Sequence, residues 1–227
     1  MYLQATKEKN PQKMLVWNQK ASNAGHAQAS VKLAYAHLKV LQSPIPYNRT
    51  KGKELFESAI KSSDEPDGHY GMAKLYLNKV KTSILEQPDN ERKQQKAIEA
   101  RNSPLVTKAI VHLEEATKGG HPFAMFNLGI CHTFGYSSPD NSVDYELAAE
   151  WFEASGLPEG LFAKAMYLNS IGDQEQAEVY RQKAMVLGYG TPWRKPARER
   201  TGSGGSSGAK LNLEWPPLPG GRMPPEW

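Results

Sequence analysis

The chain has 227 residues, of which 23% are charged, with a formal net charge of +4 and a single cysteine, Cys131. One cysteine excludes an intrachain disulfide framework, and no run approaches the 18 apolar residues of a membrane-spanning helix. The mild basicity is spread over interleaved Lys and Glu, so it permits nucleic-acid contact without demanding it.

Apolar residues recur at three- and four-residue spacings along most of the chain, and no stretch alternates as a strand would. The spacing predicts helices over 7–24, 26–41, 51–63, 67–80, 104–119, 122–134, 143–155, 159–170 and 173–188. Pro44, Pro46, Pro66, Pro104, Pro122, Pro139 and Pro158 fall in loops or first helical turns, where a missing N–H costs little. Residues 81–103 are polar and charged around Pro88, and read as a mobile inserted loop with a helical turn around Glu91 to Arg101.

One line recurs along the helical part. Trp17-Asn18-Gln19-Lys20-Ala21 leads to Gly25-His26-Ala27, Ala29, Leu33-Ala34 and His37. His112-Leu113-Glu114-Glu115-Ala116 leads in the same way to Gly120-His121, Ala124, Leu128-Gly129 and His132. Leu55 to Tyr76 and Trp151 to Tyr167 repeat the line more loosely, and Ala177 to Gly188 is a final half-unit. The anchor alanines are Ala21, Ala59, Ala116, Ala154 and Ala184, separated by 38, 57, 38 and 30 residues. The small residues mark places where two helices cross closely. The large ones (Trp17, Leu33, Tyr35, Leu75, Phe126, Leu128, Trp151, Phe162 and Tyr180) fill the space between helix pairs, which must stack because one pair cannot bury both its faces.

This pattern resembles the Sel1-like repeat, a relative of the tetratricopeptide repeat. The resemblance covers about Lys7 to Gly190 and departs from the family at Lys164, where the family has Leu. It implies an all-α fold: an α-solenoid of antiparallel helix pairs, about four repeats plus a terminal helix, spanning 1–190. It also implies a scaffold or adaptor whose receiving surface lies on the first helices of successive pairs. The candidates there are Tyr70, Lys74, Leu77, Phe123, Asn127, Thr133, Phe162 and Tyr167.

Sites for chemistry are not evident. The histidines His26 and His121 share one repeat position, and His37 and His132 another, so repeat grammar explains them better than a metal site. Cys131 lies inside a repeat helix and reads as a buried structural thiol. The acidic clusters Asp64-Glu65 and Asp140 to Asp144 read as helix caps, and Asn48-Arg49-Thr50 is a glycosylation sequon that matters only in a secretory compartment. No phosphate loop, nucleophile elbow or HExxH motif occurs. The expectation is no catalytic residue, no metal and no cofactor, in an intracellular, reducing compartment: cytoplasm, nucleus, or mitochondrion after loss of a targeting sequence.

The C-terminal part differs in kind. A basic, Pro-containing tail, 191–201, precedes a pure Gly/Ser run, 202–208, which reads as an engineered flexible linker, with a native Ser/Gly linker as the competing reading. Residues 209–227 hold two Trp, three Leu, one Met and five Pro, and have no partner for these groups within themselves. Leu211, Leu213, Trp215, Pro216, Pro217, Leu218, Met223 and Trp227 are the expected anchors of an extended, Pro-rich ligand tethered to its receptor. The competing reading is a helical-repeat RNA-binding protein with a native disordered tail.

Overall fold

The computed structural model describes residues 2–189 apart from 8, 9, 42, 43, 86–89, 137, 139 and 141. The tail 191–201, the Gly/Ser run 202–208, and the expected ligand 209–227 with all its anchors lie outside the described residues. Those that are described form eleven helices and no strand. They are α1 (Tyr2–Lys7), α2 (Pro11–Asn23), α3 (Ala27–His37), α4 (Arg49–Ser63), α5 (Pro66–Leu85), α6 (Asn90–Arg101), α7 (Pro104–Lys118), α8 (Pro122–Thr133), α9 (Tyr145–Ala154), α10 (Pro158–Ser170) and α11 (Gln174–Val186).

The helices pair as α-hairpins. The most extensive packing joins α3 to α4, α5 to α7, α8 to α9 and α10 to α11, and each hairpin then leans on the next through α4–α5, α7–α8 and α9–α10. The short α1 packs on α2 and leads the series. This is the stacked, antiparallel arrangement of an α-solenoid. The second helix of every hairpin starts with a side-chain cap: Asn10, Asn48, Ser103, Asp144 and Asp173 each accept a backbone N–H of the first turn. Asn10 and Pro11 also explain why the helix expected from residue 7 starts at residue 11, since the cap and the N1 proline begin α2 there, while α1 is not expected from the apolar spacing.

The second helices end on a residue in the left-handed region: Gly25, Asp64, Gly120, Gly156 and Gly188, with φ between 50° and 93°. At three of these ends the following N–H turns back on an anchor alanine, His26 to Ala21 O, His121 to Ala116 O and Tyr189 to Ala184 O, at 3.0, 3.2 and 2.9 Å. This is the six-to-one bond of a Schellman stop. Counting back from the stop corrects one anchor. Ala154 is exposed, and the residue four before Gly156 is Phe152, which is buried. There the Ser155 hydroxyl takes over the closing bonds, donating to Phe152 O and accepting from Leu157 N–H.

A phenylalanine in an alanine-sized place needs room, and Gly129 on α8 supplies it. A Cβ on Gly129 would sit 2.6 Å from the Phe152 ring. The same exchange recurs in the first half, where a Cβ on Gly71 would lie 2.3 Å from the fully buried Phe56 ring. Of the large residues expected between hairpins, Leu33, Leu75, Phe126 and Leu128 are buried, whereas Trp17, Tyr35, Trp151, Phe162 and Tyr180 are half-buried. The departure at Lys164 has its own place. Its ammonium pairs with Glu153 of α9 and lies 5.2 Å from the Tyr180 ring centroid of α11, so a cation ties three helices where an aliphatic residue would only fill space.

The segment 81–103 is more ordered than a loop. Helix α5 continues to Leu85, and α6 follows from Asn90. Buried Ala100 of α6 closes a small apolar cluster with Val80 of α5 and Val106 of α7, flanked by Leu105, Ile110 and Tyr136. Polar composition concealed this because one buried alanine anchors an otherwise polar helix.

Two outcomes are expected. Gly71→Ala lowers unfolding free energy in denaturant titration by a net of about 1–2 kcal/mol, because overpacking outweighs the gain in helix propensity. Adding Phe56→Leu recovers part of that loss, and additive effects of the two changes would refute the contact. Replacing 86–102 with a short Gly/Ser loop lowers the melting temperature by several degrees, since Val80 and Val106 lose their cover. An unchanged melting temperature would mean that α6 contributes nothing to packing.

Candidate functional site

The expected receiving residues lie on α5, α8 and α10, the first helices of their hairpins. Four of them meet at the junction of α5 and α8. Tyr70 sits in the second turn of α5, and its ring lies 6.1 Å from that of Phe123. The Asn127 amide donates to the Tyr70 hydroxyl at 3.4 Å, and the Lys74 ammonium lies 5.8 Å from the Tyr70 ring centroid. Phe123 is 37% exposed although it opens a helix whose inner side is core. Burial raises the Tyr70 phenol to about 12, so it remains a neutral hydrogen-bonding group.

The other four are placed differently. Leu77 is buried as deeply as Tyr70, in one core cluster with Ala73 and Leu113, so both back the patch from below and its exposed ring is that of Phe123. Thr133 is buried too, its hydroxyl donating to Gly129 O within its own helix at 2.9 Å. Phe162 and Tyr167 belong to α10, one hairpin further along, and Phe162 stacks on Tyr189 with ring centroids 4.4 Å apart. Helical spacing names the face of a helix without saying how deep a residue sits in the stack. That depth depends on the neighbouring hairpin.

The residue that organises the patch is His121, which repeat position alone had accounted for. Its ring stacks on Tyr70 at 4.3 Å, and it is buried. Nδ1 accepts the Ala124 N–H at 3.2 Å, capping α8, while Nε2 lies 3.0 Å from Asp67 Oδ1. The neutral ring protonated at Nε2 satisfies both partners at once. The hydrogen bond from His121 holds the Asp67 carboxyl below its usual range against the opposing pull of burial. His121 thus fixes Tyr70, the start of α8 and Asp67 together. His26 occupies the equivalent place and stacks on Tyr2 at 4.0 Å, but it makes no side-chain cap bond. The Gly-His-Pro sequence of residues 120–122 carries the signal for a capping histidine. The identity of the stacked ring, 51 residues earlier in the chain, does not appear there.

Elsewhere, Cys131 is buried among apolar side chains, and burial pushes its thiol up to about 12, far from a thiolate. Of the acidic clusters, Asp144 caps α9 as expected, but Asp64 ends α4 and bonds His69 instead of capping α5. Among the described residues no group of three or more His, Cys, Asp and Glu is arranged to hold a metal ion, and no helix is long and apolar enough to cross a membrane.

No protein-family profile matches the chain, and no curated protein sequence matches it. Among solved structures, the chain is similar to the crystal structure of an immunity protein from Pseudomonas aeruginosa, at 17% identity and a TM-score of 0.39, over 82% of this chain and 80% of that one. A likeness of that size carries no functional argument.

The role of His121 is open to measurement. His121→Ala removes the cap and the Asp67 bond and is expected to lower stability in denaturant titration by about 1–2 kcal/mol. His121→Asn, which keeps a capping acceptor, costs less. Equal losses in the two variants would mean that the cap at Ala124 contributes nothing.

Proposed function

We propose that this chain is a non-enzymatic, Sel1-like adaptor whose solenoid surface grips a Pro-rich linear segment anchored by Trp and Leu, with residues 209–227 as such a segment carried on the same chain. The observation that carries this reading is the exposed ring of Phe123, backed by the buried rings of Tyr70 and His121, with the half-buried Asn127 and Lys74 at its edge. Aromatic surfaces flanked by a hydrogen-bonding side chain suit polyproline segments. Such segments are already extended, lose little entropy on docking, and offer ring faces and carbonyls in place of N–H donors. The Sel1-like assignment is supported by a register that recurs at three of the five stops: an anchor alanine, a left-handed glycine four residues on, then an N–H that returns to the anchor carbonyl. Intracellular location is part of the same proposal, resting on the single buried thiol.

The direct test is calorimetric titration of residues 1–201 with a peptide of residues 209–227. Phe123→Ala in the receiver and Trp215→Ala in the peptide are each expected to weaken binding at least about tenfold, or about 1.4 kcal/mol. Arg222→Ala is expected to change it less than about threefold, as an exposed charge would. Affinity should vary little with salt. A steep loss between low and high salt, together with binding to single-stranded RNA, would replace this reading with the RNA-binding one.

A further inference from the structure

Three titratable side chains from three elements form a chain beside the first turn of α5. Asp64 is the left-handed stop of α4, and its side chain is 80% exposed. Its Oδ1 lies 2.8 Å from Nε2 of His69, a buried residue in the first turn of α5. Nδ1 of His69 lies 3.0 Å from Nδ1 of His112, a half-buried residue of α7 that is 43 positions later in the chain. Tyr76 of α5 also stacks on the His112 ring, with centroids 5.9 Å apart. Helices α5 and α7 form one hairpin, and His69 lies at the end of it opposite the connection through α6.

Two ring nitrogens 3.0 Å apart need one hydrogen between them. With both rings neutral, His69 gives its Nε2–H to Asp64, accepts at Nδ1, and takes the Nδ1–H of His112. A first proton is accommodated. His69 becomes an imidazolium that donates to both Asp64 and His112, and His112 moves its own hydrogen to Nε2. A second proton places two N–H groups and two positive charges face to face, and the contact cannot survive. We propose that Asp64, His69 and His112 form a two-step proton latch that holds α5 against α7 and opens in mild acid when His112 takes up its proton.

The surroundings agree with this order. Burial first, and then the neighbouring His69, hold His112 below the ordinary histidine range, while Glu115 of α7 and Glu57 of α4 oppose that shift only in part. Lys118 of α7 is engaged by Glu115 and faces Asp64. Glu65 lies just ahead of α5 and Asp67 in its first turn, the latter bonded to His121, the cap of α8. The sign follows from the direction of the shift. The unfolded chain takes a proton on His112 near pH 6.5, at about the free-imidazole value, and the folded chain takes it only at lower pH. Stability therefore falls as pH drops below about 6.5, and stops falling once folded His112 is itself protonated.

The test uses the full chain, unfolded thermally and followed by circular dichroism at pH 7.5 and pH 5.0. His112→Gln keeps an amide able to donate or accept but does not titrate. Wild type is expected to lose at least about 3 °C more than His112→Gln between the two conditions. The control His26→Gln, at an exposed histidine outside the chain of contacts, should keep the wild-type loss. An equal loss in wild type and His112→Gln overturns the latch. If His112→Gln fails to fold, histidine NMR of the wild type decides. The latch requires His112 to titrate below the ordinary histidine range and to carry its hydrogen on Nδ1 at neutral pH. Titration of His112 within the ordinary histidine range, or a hydrogen on its Nε2 at neutral pH, overturns it.

Discussion

Everything in this fold depends on stopping the second helix of each hairpin at the right residue. A left-handed residue does so, and glycine occupies four of the five stops because it carries no Cβ to oppose that conformation. The stop fixes which residue lies four positions before it, and that residue faces the neighbouring helix. At Ala21, Ala116 and Ala184 the place is filled by a methyl group, and the closing N–H lands on the same residue's carbonyl. Backbone hydrogen bonding and side-chain packing are thereby tied to one register, and the hairpins stack on that register.

The exceptions show how the constraint is kept when the residue changes. Phe152 stands where three of the other stops have alanine and the Asp64 stop has Ile60. The fold accepts it by removing a side chain at Gly129 and by handing the closing bonds to the Ser155 hydroxyl. Asp64 replaces glycine at another stop, taking a left-handed φ of 50°, and its carboxylate then serves as the exposed end of a histidine chain. A departure at one position draws in compensating residues on a neighbouring helix, as expected where interiors are close-packed.

The same stops generate the candidate site. The residue after each stop lies beside the early turns of the preceding hairpin's first helix. That geometry brings His121 onto Tyr70 and Tyr189 onto Phe162, and sets Leu157 against the cluster containing Phe126. A periodic fold therefore produces ring pairs at hairpin junctions as a by-product of its own closure. At the Tyr70 junction the stack also has an exposed ring in Phe123, a cap in His121 and an amide in Asn127, which distinguishes it from the others.

The sequence by itself determined the helical class, the places where most helices start and stop, and the recurrence of hairpins. Apolar spacing, Pro at first turns, Asn, Asp or Ser at caps, and Gly at stops are all local signals. It also named Tyr70, Phe123, Asn127 and Lys74, which the fold brings together where α5 meets α8. Only the tertiary structure decided that Leu77 and Thr133 are core, that Ala154 is exposed while Phe152 is its structural counterpart, and that α6 is anchored by Ala100. Burial depth and ring stacking depend on the neighbouring hairpin, tens of residues away, and periodicity within one helix holds no record of them. The contact of His69 with His112 is the plainest case. Each looks like an ordinary helical histidine, and only the docking of α5 on α7 gives the two rings a shared hydrogen.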